Sequence, residues 1–279
     1  MGTGQREFAC DQAWPGAADA AQPGAPAMAG GGDGLVTIIV PARDETGIAP
    51  VISRIARCVR ADREILVVVD SAEDLTVPSV RALAATVPGL RCLVSPYPPG
   101  PAGAIRHGFD VAGGDVTVVT MADGSDDPAQ IDVLVGLVRR GAVIAAASRY
   151  SAGGRQVGGP AVRRLLSRLA GISLRTLAGA GTCDATNSFK AYLTGFVREV
   201  GIDSRAGFAV GIELTAKARR LRLPVAEIPT TWRERRQGRS RFRLAAWLPG
   251  YARWYLFCFG RRLSAGELRA RCAAGGGPW

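Results

Sequence analysis

Short runs of β-branched apolar residues alternate with amphipathic helical patterns through the first half of this chain. The runs lie at 35–40, 64–70, 90–95, 115–122 and 142–147. Between them, apolar residues recur three or four positions apart, which is the spacing of a helix with one buried face. This alternation predicts an α/β fold with a mostly parallel central sheet and helices on both of its faces.

Acidic residues follow three of these runs at the point where each predicted strand ends. They are Asp44 and Glu45 after the first run, Asp70 after the second, and Asp123, Asp126 and Asp127 after the fourth. Parallel strands present their carboxyl ends at one edge of a sheet, where α/β proteins bind ligands. Carboxylates suit Mg²⁺ or Mn²⁺ shared with a substrate phosphate. A nucleotide therefore fits this edge, although a helix N-cap is the alternative for each residue taken singly.

Charge is divided unequally along the chain. Residues 1–134 hold 9 Lys+Arg and 17 Asp+Glu, a net of −8, whereas residues 135–279 hold 26 and 7, a net of +19. The basic half suggests an anionic partner, which is a phosphate compound, a membrane surface or nucleic acid. Nucleic acid is the least favoured, because aromatic stacking residues are not interleaved among the arginines.

Two groups of polar residues are candidates for binding phosphate. Arg163 and Ser167 are four residues apart and so share a helix face, and they join a set with Arg149, Arg235, Ser240 and Arg241. The segment from Gly100 through Gly103 to Gly108 resembles a loop entering a helix whose N-terminus faces a phosphate. The alternative for the arginines is an ordinary solvated basic surface.

The ends of the chain differ in composition from the middle. Residues 1–34, rich in Ala, Gly and Pro, predict a disordered leader, and residues 264–279 predict a flexible tail. The aromatic segment 244–259, within a predicted helical region 244–263, either packs on the core or lies in a membrane interface. Six cysteines without paired spacing predict reduced thiols and a cytoplasmic protein, peripheral on the inner face of a membrane if the aromatic segment binds there.

The order of these motifs resembles family 2 glycosyltransferases of the GT-A fold, and within them the dolichol-phosphate mannose synthase type. The resemblance covers residues 35–243, which would form the GT-A domain. It rests on the segments 40–45, 100–108, 122–128, 148–150, 163–168, 184–192 and 232–241, together with Asp70 and Glu213.

The resemblance implies an inverting transfer of a sugar from a UDP- or GDP-linked donor to a polyprenyl or dolichyl phosphate, with Mg²⁺ or Mn²⁺. Pro41, Glu45 and Asp70 would hold the nucleoside, and Asp123 the metal and diphosphate. The acceptor phosphate would be bound by Arg149, Arg163 and Ser167, and the donor phosphates would be covered by Arg235 and Arg241.

Two positions depart from the family pattern. Met121 stands where the family has the first Asp of its metal motif, so Asp123 would have to work with Asp126 or Asp127. Val69 stands where a second Asp usually precedes Asp70, which leaves the nucleobase open. A soluble small-molecule acceptor, with Asp126, Asp127 or Asp184 as general base, and a non-catalytic nucleotide- or lipid-binding protein are the alternatives.

Overall fold

Seven strands form one sheet in the computed structural model, which describes residues 34–205, 207–234 and 244–273. Their order across the sheet is β3-β2-β1-β4-β7-β5-β8. The strands are β1 Val36–Pro41, β2 Arg63–Val69, β3 Leu90–Val94, β4 Val116–Val119, β5 Ile144–Ser148, β7 Lys190–Leu193 and β8 Val225–Pro229. All pair in parallel except β7, which is antiparallel to both of its neighbours. The mostly parallel α/β sheet predicted from the sequence is confirmed.

Helices cover both faces of this sheet. The helices of the described chain are α1 Ile48–Cys58, α2 Val77–Ala84, α3 Pro101–Val111, α4 Ile131–Arg139, α5 Ala161–Ser173, α6 Thr194–Val200, α7 Val210–Leu221, α8 Leu244–Cys258 and α9 Ala265–Ala273. The apolar sides of α1, α2 and α4 pack on one face, and those of α3, α6, α7 and α8 pack on the other. Because both faces are covered, β1 is buried along its whole length, and this is why such strands read as continuous apolar runs.

Two short segments of the second half have a local structure of their own. The segment 151–160 contains a short strand, β6 Arg155–Val157, which pairs in parallel with β9 Thr231–Arg233 as a separate two-stranded sheet. The segment 184–192 forms a turn before β7 begins at Lys190. The sequences of β6 and β7 show no strand-like alternation of apolar and polar residues, because strands of three or four residues are too short to show one.

The C-terminal part of the described chain is packed rather than loose. Trp254 and Phe257 of α8 are each only 3% exposed and pack against α7, as the core-packing alternative predicts. The flexible tail predicted from residue 264 is wrong where α9 forms. Leu268 of this helix is only 1% exposed, because it packs into the apolar core. Among the described helices, none combines the length and the apolar character that crossing a membrane requires.

Other expectations about the chain ends and the cysteines have mixed outcomes. Except for Gly34, the predicted leader 1–34 lies outside the described residues. Cys92, Cys183 and Cys258 are free thiols, but Cys58 is disulfide-bonded, which corrects the expectation that every thiol is reduced. The cytoplasmic location stays a prediction.

Candidate functional site

The carboxyl ends of β1, β2 and β4 open into a cavity of roughly 1080 Å³. These three strands are neighbours in the sheet, so their tips converge as the sequence predicts. Six of the predicted site residues line the cavity, and they are Pro41, Glu45, Asp70, Asp123, Arg149 and Ser167. The cavity therefore joins an acidic wall at the strand tips to a basic group near α5.

Asp70 holds the loop that leads into α3. Its Oδ1 accepts a hydrogen bond from the backbone N–H of Gly100 at 2.8 Å, and its Oδ2 lies 3.8 Å from Arg43 Nη1. Gly100 has a φ of 128°, a conformation that side chains disfavour. Gly103 follows inside α3 but is not part of the cavity wall. A Cβ there would come within 2.5 Å of the Pro98 carbonyl oxygen, so close packing accounts for this glycine.

The tip of β1 is held by the β2–α2 loop. Asp44 has a φ of 52° and its N–H donates to Asp74 Oδ1 at 3.0 Å, while the N–H of Glu45 donates to Thr76 Oγ1 at 2.9 Å. A left-handed backbone at a residue other than glycine persists only where neighbouring contacts determine it. These contacts fix the position at which Glu45 meets the cavity.

Asp123 is the acidic residue from the β4 tip that reaches the cavity. Its Oδ1 accepts from the N–H of Ser125 at 3.0 Å across a turn in which Gly124 has a φ of 71°. Ser125 also lines the cavity, and its hydroxyl oxygen is buried without a hydrogen-bond partner in the described structure. Such a pair of oxygens is suited to a ligand that supplies the missing partner.

The other two carboxylates of this turn point elsewhere. Asp126 is buried, and its Oδ2 accepts from Met121 N–H at 2.9 Å and from Thr120 Oγ1 at 3.1 Å. Asp127 caps the short 3₁₀ helix 128–130 by accepting from Ala129 N–H. The prediction that Asp123, Asp126 and Asp127 gather as metal ligands is therefore wrong in its last two members, because both serve the local fold.

The described residues nevertheless suit a divalent metal that arrives with a phosphorylated substrate. They contain no cluster of three potential ligand residues, so they provide no preformed cage. Mg²⁺ usually takes only one or two carboxylates and completes its octahedral shell with substrate phosphates and water. Asp123, with the Ser125 hydroxyl beside it, fits this pattern. Met121 also lines the cavity, but a thioether is a poor ligand for a hard cation.

Asp126→Asn is expected to stabilise the protein increasingly as the pH rises from 5 to 7. Burial, with a smaller contribution from the Asp123 charge, raises the pKa of Asp126 from 3.8 to about 7. Between these values the unfolded chain has lost this proton and the folded chain retains it. Wild-type stability therefore falls with pH by up to about 1.4 kcal/mol per unit. An asparagine oxygen accepts the same two hydrogen bonds and has no titrating proton, so the stability of the variant does not fall in this way.

Urea unfolding at pH 5, 6, 7 and 8, with a chelator present, measures this effect. The difference in unfolding free energy between the variant and the wild type should grow up to pH 7 and then level off. A difference that is constant across the series would show that the Asp126 carboxyl titrates normally in the folded protein.

Arg149 is held rigidly in the cavity wall. Its Nε donates to Asp184 Oδ2 at 2.7 Å and its Nη2 donates to Asp184 Oδ1 at 2.8 Å, which is a bidentate pair. The Arg149 backbone N–H also donates to Asp184 Oδ2. The same Nη2 lies 3.4 Å from Ser167 Oγ and 3.3 Å from Thr186 Oγ1. The guanidinium thus has a fixed position beside two hydroxyl groups.

The electrostatics of this group keep it charged. Burial alone would lower the pKa of Arg149, but the charge and hydrogen bonds of Asp184 more than offset it and raise that pKa. The Arg149 side chain is 10% exposed and that of Asp184 is fully buried. Both oxygens of Asp184 are thus engaged with Arg149, which argues against Asp184 as the general base considered for a hydroxyl acceptor.

The remaining predicted residues are placed only in part. Arg163 lies in α5 one turn before Ser167, but its side chain is outside the described set. Arg235, Ser240 and Arg241 also lie outside the described residues. The cavity wall also contains residues that were not predicted to belong to the site, among them Tyr150, Thr186, Asn187 and Trp232. Thr186 lies in the segment 184–192 that carries the family resemblance, but nothing in its spacing shows that it contacts Ser167 at 2.7 Å.

The fold is that of a nucleotide-diphospho-sugar transferase of the GT-A class. Glucosyl-3-phosphoglycerate synthase from Mycobacterium tuberculosis, crystallised with Mn²⁺, UDP and glucosyl-3-phosphoglycerate, superposes with a TM-score of 0.64. The sequence identity is 20%, and the match covers 83% of this chain and 82% of that one.

The chain belongs to glycosyl transferase family 2, which its residues 37–201 match, and it is a glycosyltransferase. Undecaprenyl-phosphate mannosyltransferase of Micrococcus luteus is 29% identical over 211 residues, covering 74% of this chain and 86% of the relative. Polyprenol monophosphomannose synthase of Mycolicibacterium smegmatis is 31% identical over 211 residues, covering 73% and 79%. The family resemblance seen in the sequence is confirmed, and the non-catalytic alternative is set aside.

Proposed function

We propose that this enzyme transfers a sugar from a nucleotide-diphosphate donor to a polyprenyl phosphate with inversion at the anomeric carbon. The observation that carries the proposal is the arrangement of Arg149 and Ser167 in one cavity with Asp123. A fixed cation and a carboxylate thus line the same cavity, so we infer that it receives both an anionic acceptor and a donor diphosphate. The names of the two relatives, both acting on polyprenyl-type phosphates, support the same acceptor class.

On the donor side, the nucleoside lies against Pro41, Glu45 and Asp70 in this proposal. With Asp70 Oδ1 occupied by Gly100, Oδ2 is the oxygen that accepts from a base N–H. Asp123 meets the diphosphate, and a bound Mg²⁺ or Mn²⁺ would neutralise the charge on the leaving nucleotide. Arg235, Ser240 and Arg241 are proposed to cover the donor phosphates.

On the acceptor side, Arg149, Arg163 and Ser167 bind the lipid phosphate and direct one of its oxygens at the sugar. The phosphate is already an anion, so it attacks without a general base. The three carboxylates considered as bases for a hydroxyl acceptor, Asp126, Asp127 and Asp184, do not line the cavity. This favours a phosphate acceptor over an alcohol. The chain's own contribution is to hold that oxygen on the face opposite the leaving group.

Nucleotide release by the purified full chain tests the proposal. Donors are UDP- and GDP-sugars with Mn²⁺, and a short polyprenyl phosphate is present or absent. Release that requires the lipid phosphate, with a lipid-linked sugar as product, is the expected result and identifies the donor. Release with a small alcohol instead would overturn the acceptor assignment. No release with any donor, from folded protein, would overturn the assignment of this cavity as the donor site.

A further inference from the structure

Helix α5 exposes a continuous apolar stripe. Four large aliphatic side chains of this helix are at least half exposed, and they are Val162 (69%), Leu165 (56%), Leu166 (50%) and Leu169 (56%). The last three follow Val162 by three, four and seven residues, which places all four on one side of the helix. Large aliphatic side chains packed together at the surface of a folded protein mark an interaction site. Packing within the described part of the chain does not explain the stripe, because these four residues gain little burial there.

The helix is anchored at its middle, where Ser167 contacts Thr186, and at its C-terminal end. Gly171 is buried against Cys183, whose carbonyl oxygen leaves no room for a Cβ, and Ser173 Oγ lies 2.9 Å from the hydroxyl of Tyr255 in α8. Leu174, at the start of a π-helix that follows, is fully buried. The C-terminal turn of α5 is thus part of the core. The preceding turns of the helix carry the apolar stripe away from the core.

The charged residues of α5 itself are all basic. Arg164 and Arg168 are exposed on the same helix, and no acidic residue occurs from 161 to 183. A helix that combines large aliphatic residues on one side with basic residues beside them is typical of segments that lie in a membrane interface. Anionic lipid headgroups would attract the arginines while the leucines enter the acyl boundary.

The stripe is continuous with the entrance of the cavity. Arg164, Leu166 and Leu169 form part of the cavity wall together with Ser167. We propose that α5 is a membrane-docking helix, which binds an anionic lipid surface through Val162, Leu165, Leu166 and Leu169 with Arg164 and Arg168. The cavity entrance then opens at the lipid headgroups. That last consequence depends on the proposed function, but the docking itself does not.

This assignment changes which segment makes the membrane contact. The sequence suggested 244–259, but Trp254, Phe257 and Cys258 of α8 are buried against the core. Leu248 and Leu256 of that segment are exposed, and they would add to the membrane contact that α5 makes. The net basic charge of residues 135–279 favours an anionic lipid surface over a second, equally basic copy of this chain.

Cosedimentation of the full-length protein with vesicles tests the docking helix. The vesicles are phosphatidylcholine alone or with 30% phosphatidylglycerol, and they contain no polyprenyl phosphate. The expected result is binding to the anionic vesicles that weakens with salt. Val162→Glu/Leu165→Glu should bind at least tenfold more weakly, and Arg164→Gln/Arg168→Gln should lose the preference for anionic lipid.

A matched control introduces the same charge at exposed aliphatic residues elsewhere. Leu75→Glu/Val94→Glu replaces side chains that are 59% and 47% exposed and should bind as the wild type does. Equal loss in both double variants, or no binding by the wild type, would overturn the proposal. Self-association of the wild type that Val162→Glu/Leu165→Glu abolishes, without lipid binding, would do the same.

Activity separates this inference from the proposed function. Val162 and Leu165 do not line the cavity, so their variant should keep wild-type turnover with a short, water-soluble polyprenyl phosphate. Turnover should fall only when the acceptor is embedded in vesicles. If the wild type binds vesicles but transfers no sugar, docking stands and the proposed acceptor fails.

Discussion

Asp123→Asn is expected to lower kcat by about 10³-fold, equivalent to roughly 4 kcal/mol of transition-state stabilisation, without unfolding the protein. Asp123 is the carboxylate of the β4 turn that lines the cavity. An asparagine keeps the acceptor for Ser125 N–H, so the turn should remain intact. It loses the negative charge that a divalent cation on the donor diphosphate requires. Steady-state kinetics at saturating donor and Mn²⁺ measure the loss.

Asp127→Asn is the matched control, with the same charge change four residues away. Its side chain caps a helix and lies 3.8 Å from Arg54, and asparagine is also a good N-cap residue. Its kcat should remain within about threefold of the wild type, as expected for a substitution that keeps its local contacts. A comparable loss in both variants would contradict the assignment of Asp123 as the carboxylate that meets the donor.

Asp184→Asn is expected to raise the acceptor KM by more than about tenfold and to destabilise the fold by about 3 kcal/mol. The stability change follows from leaving the buried Arg149 charge without its counter-ion. The kinetic change follows because Arg149 loses its bidentate partner, so its guanidinium no longer lies fixed beside Ser167 and Thr186. The donor KM should change little. Initial rates with each substrate varied, and urea unfolding, give the three quantities.

Glu213→Gln separates this positioning role from loss of stability. Glu213 is a second fully buried carboxylate, paired with Lys217 at 2.7 Å, and it does not line the cavity. This variant should lose stability to a similar extent and leave the acceptor KM near the wild-type value. If Glu213→Gln raises the acceptor KM as much as Asp184→Asn does, general softening of the fold is the better explanation.

The course of the main chain was largely predictable because its signals are local. Each run of β-branched residues in the first half became a strand, and each helical pattern became a helix within a few residues. The antiparallel β7 was not predictable, since its insertion between β4 and β5 depends on pairing with residues 71–77 and 44–48 positions away. The β6–β9 pair depends on a similar long-range contact.

The two sides of the cavity differ in how far the sequence revealed them. The acidic wall followed from chemistry that is local to each strand, because parallel strands must deliver their carboxyl ends to one edge. Even there, the sequence could not distinguish Asp123 from Asp126, since the direction of a side chain within a tight turn depends on packing. Asp126 turns inward to Thr120 and Met121, whereas Asp123 lines the cavity.

The sequence by itself determined the α/β class, the convergence of carboxylates at one sheet edge and the basic character of the second half. Those properties follow from residue periodicity and from composition. Only the tertiary structure decided that Asp184, 35 residues from Arg149 in the chain, holds that guanidinium in place. It also decided that α5 exposes an apolar stripe, whereas Trp254 and Phe257 of α8 are buried. The physical reason is that burial and ion pairing are properties of neighbours in space, which the order of residues along one chain does not specify.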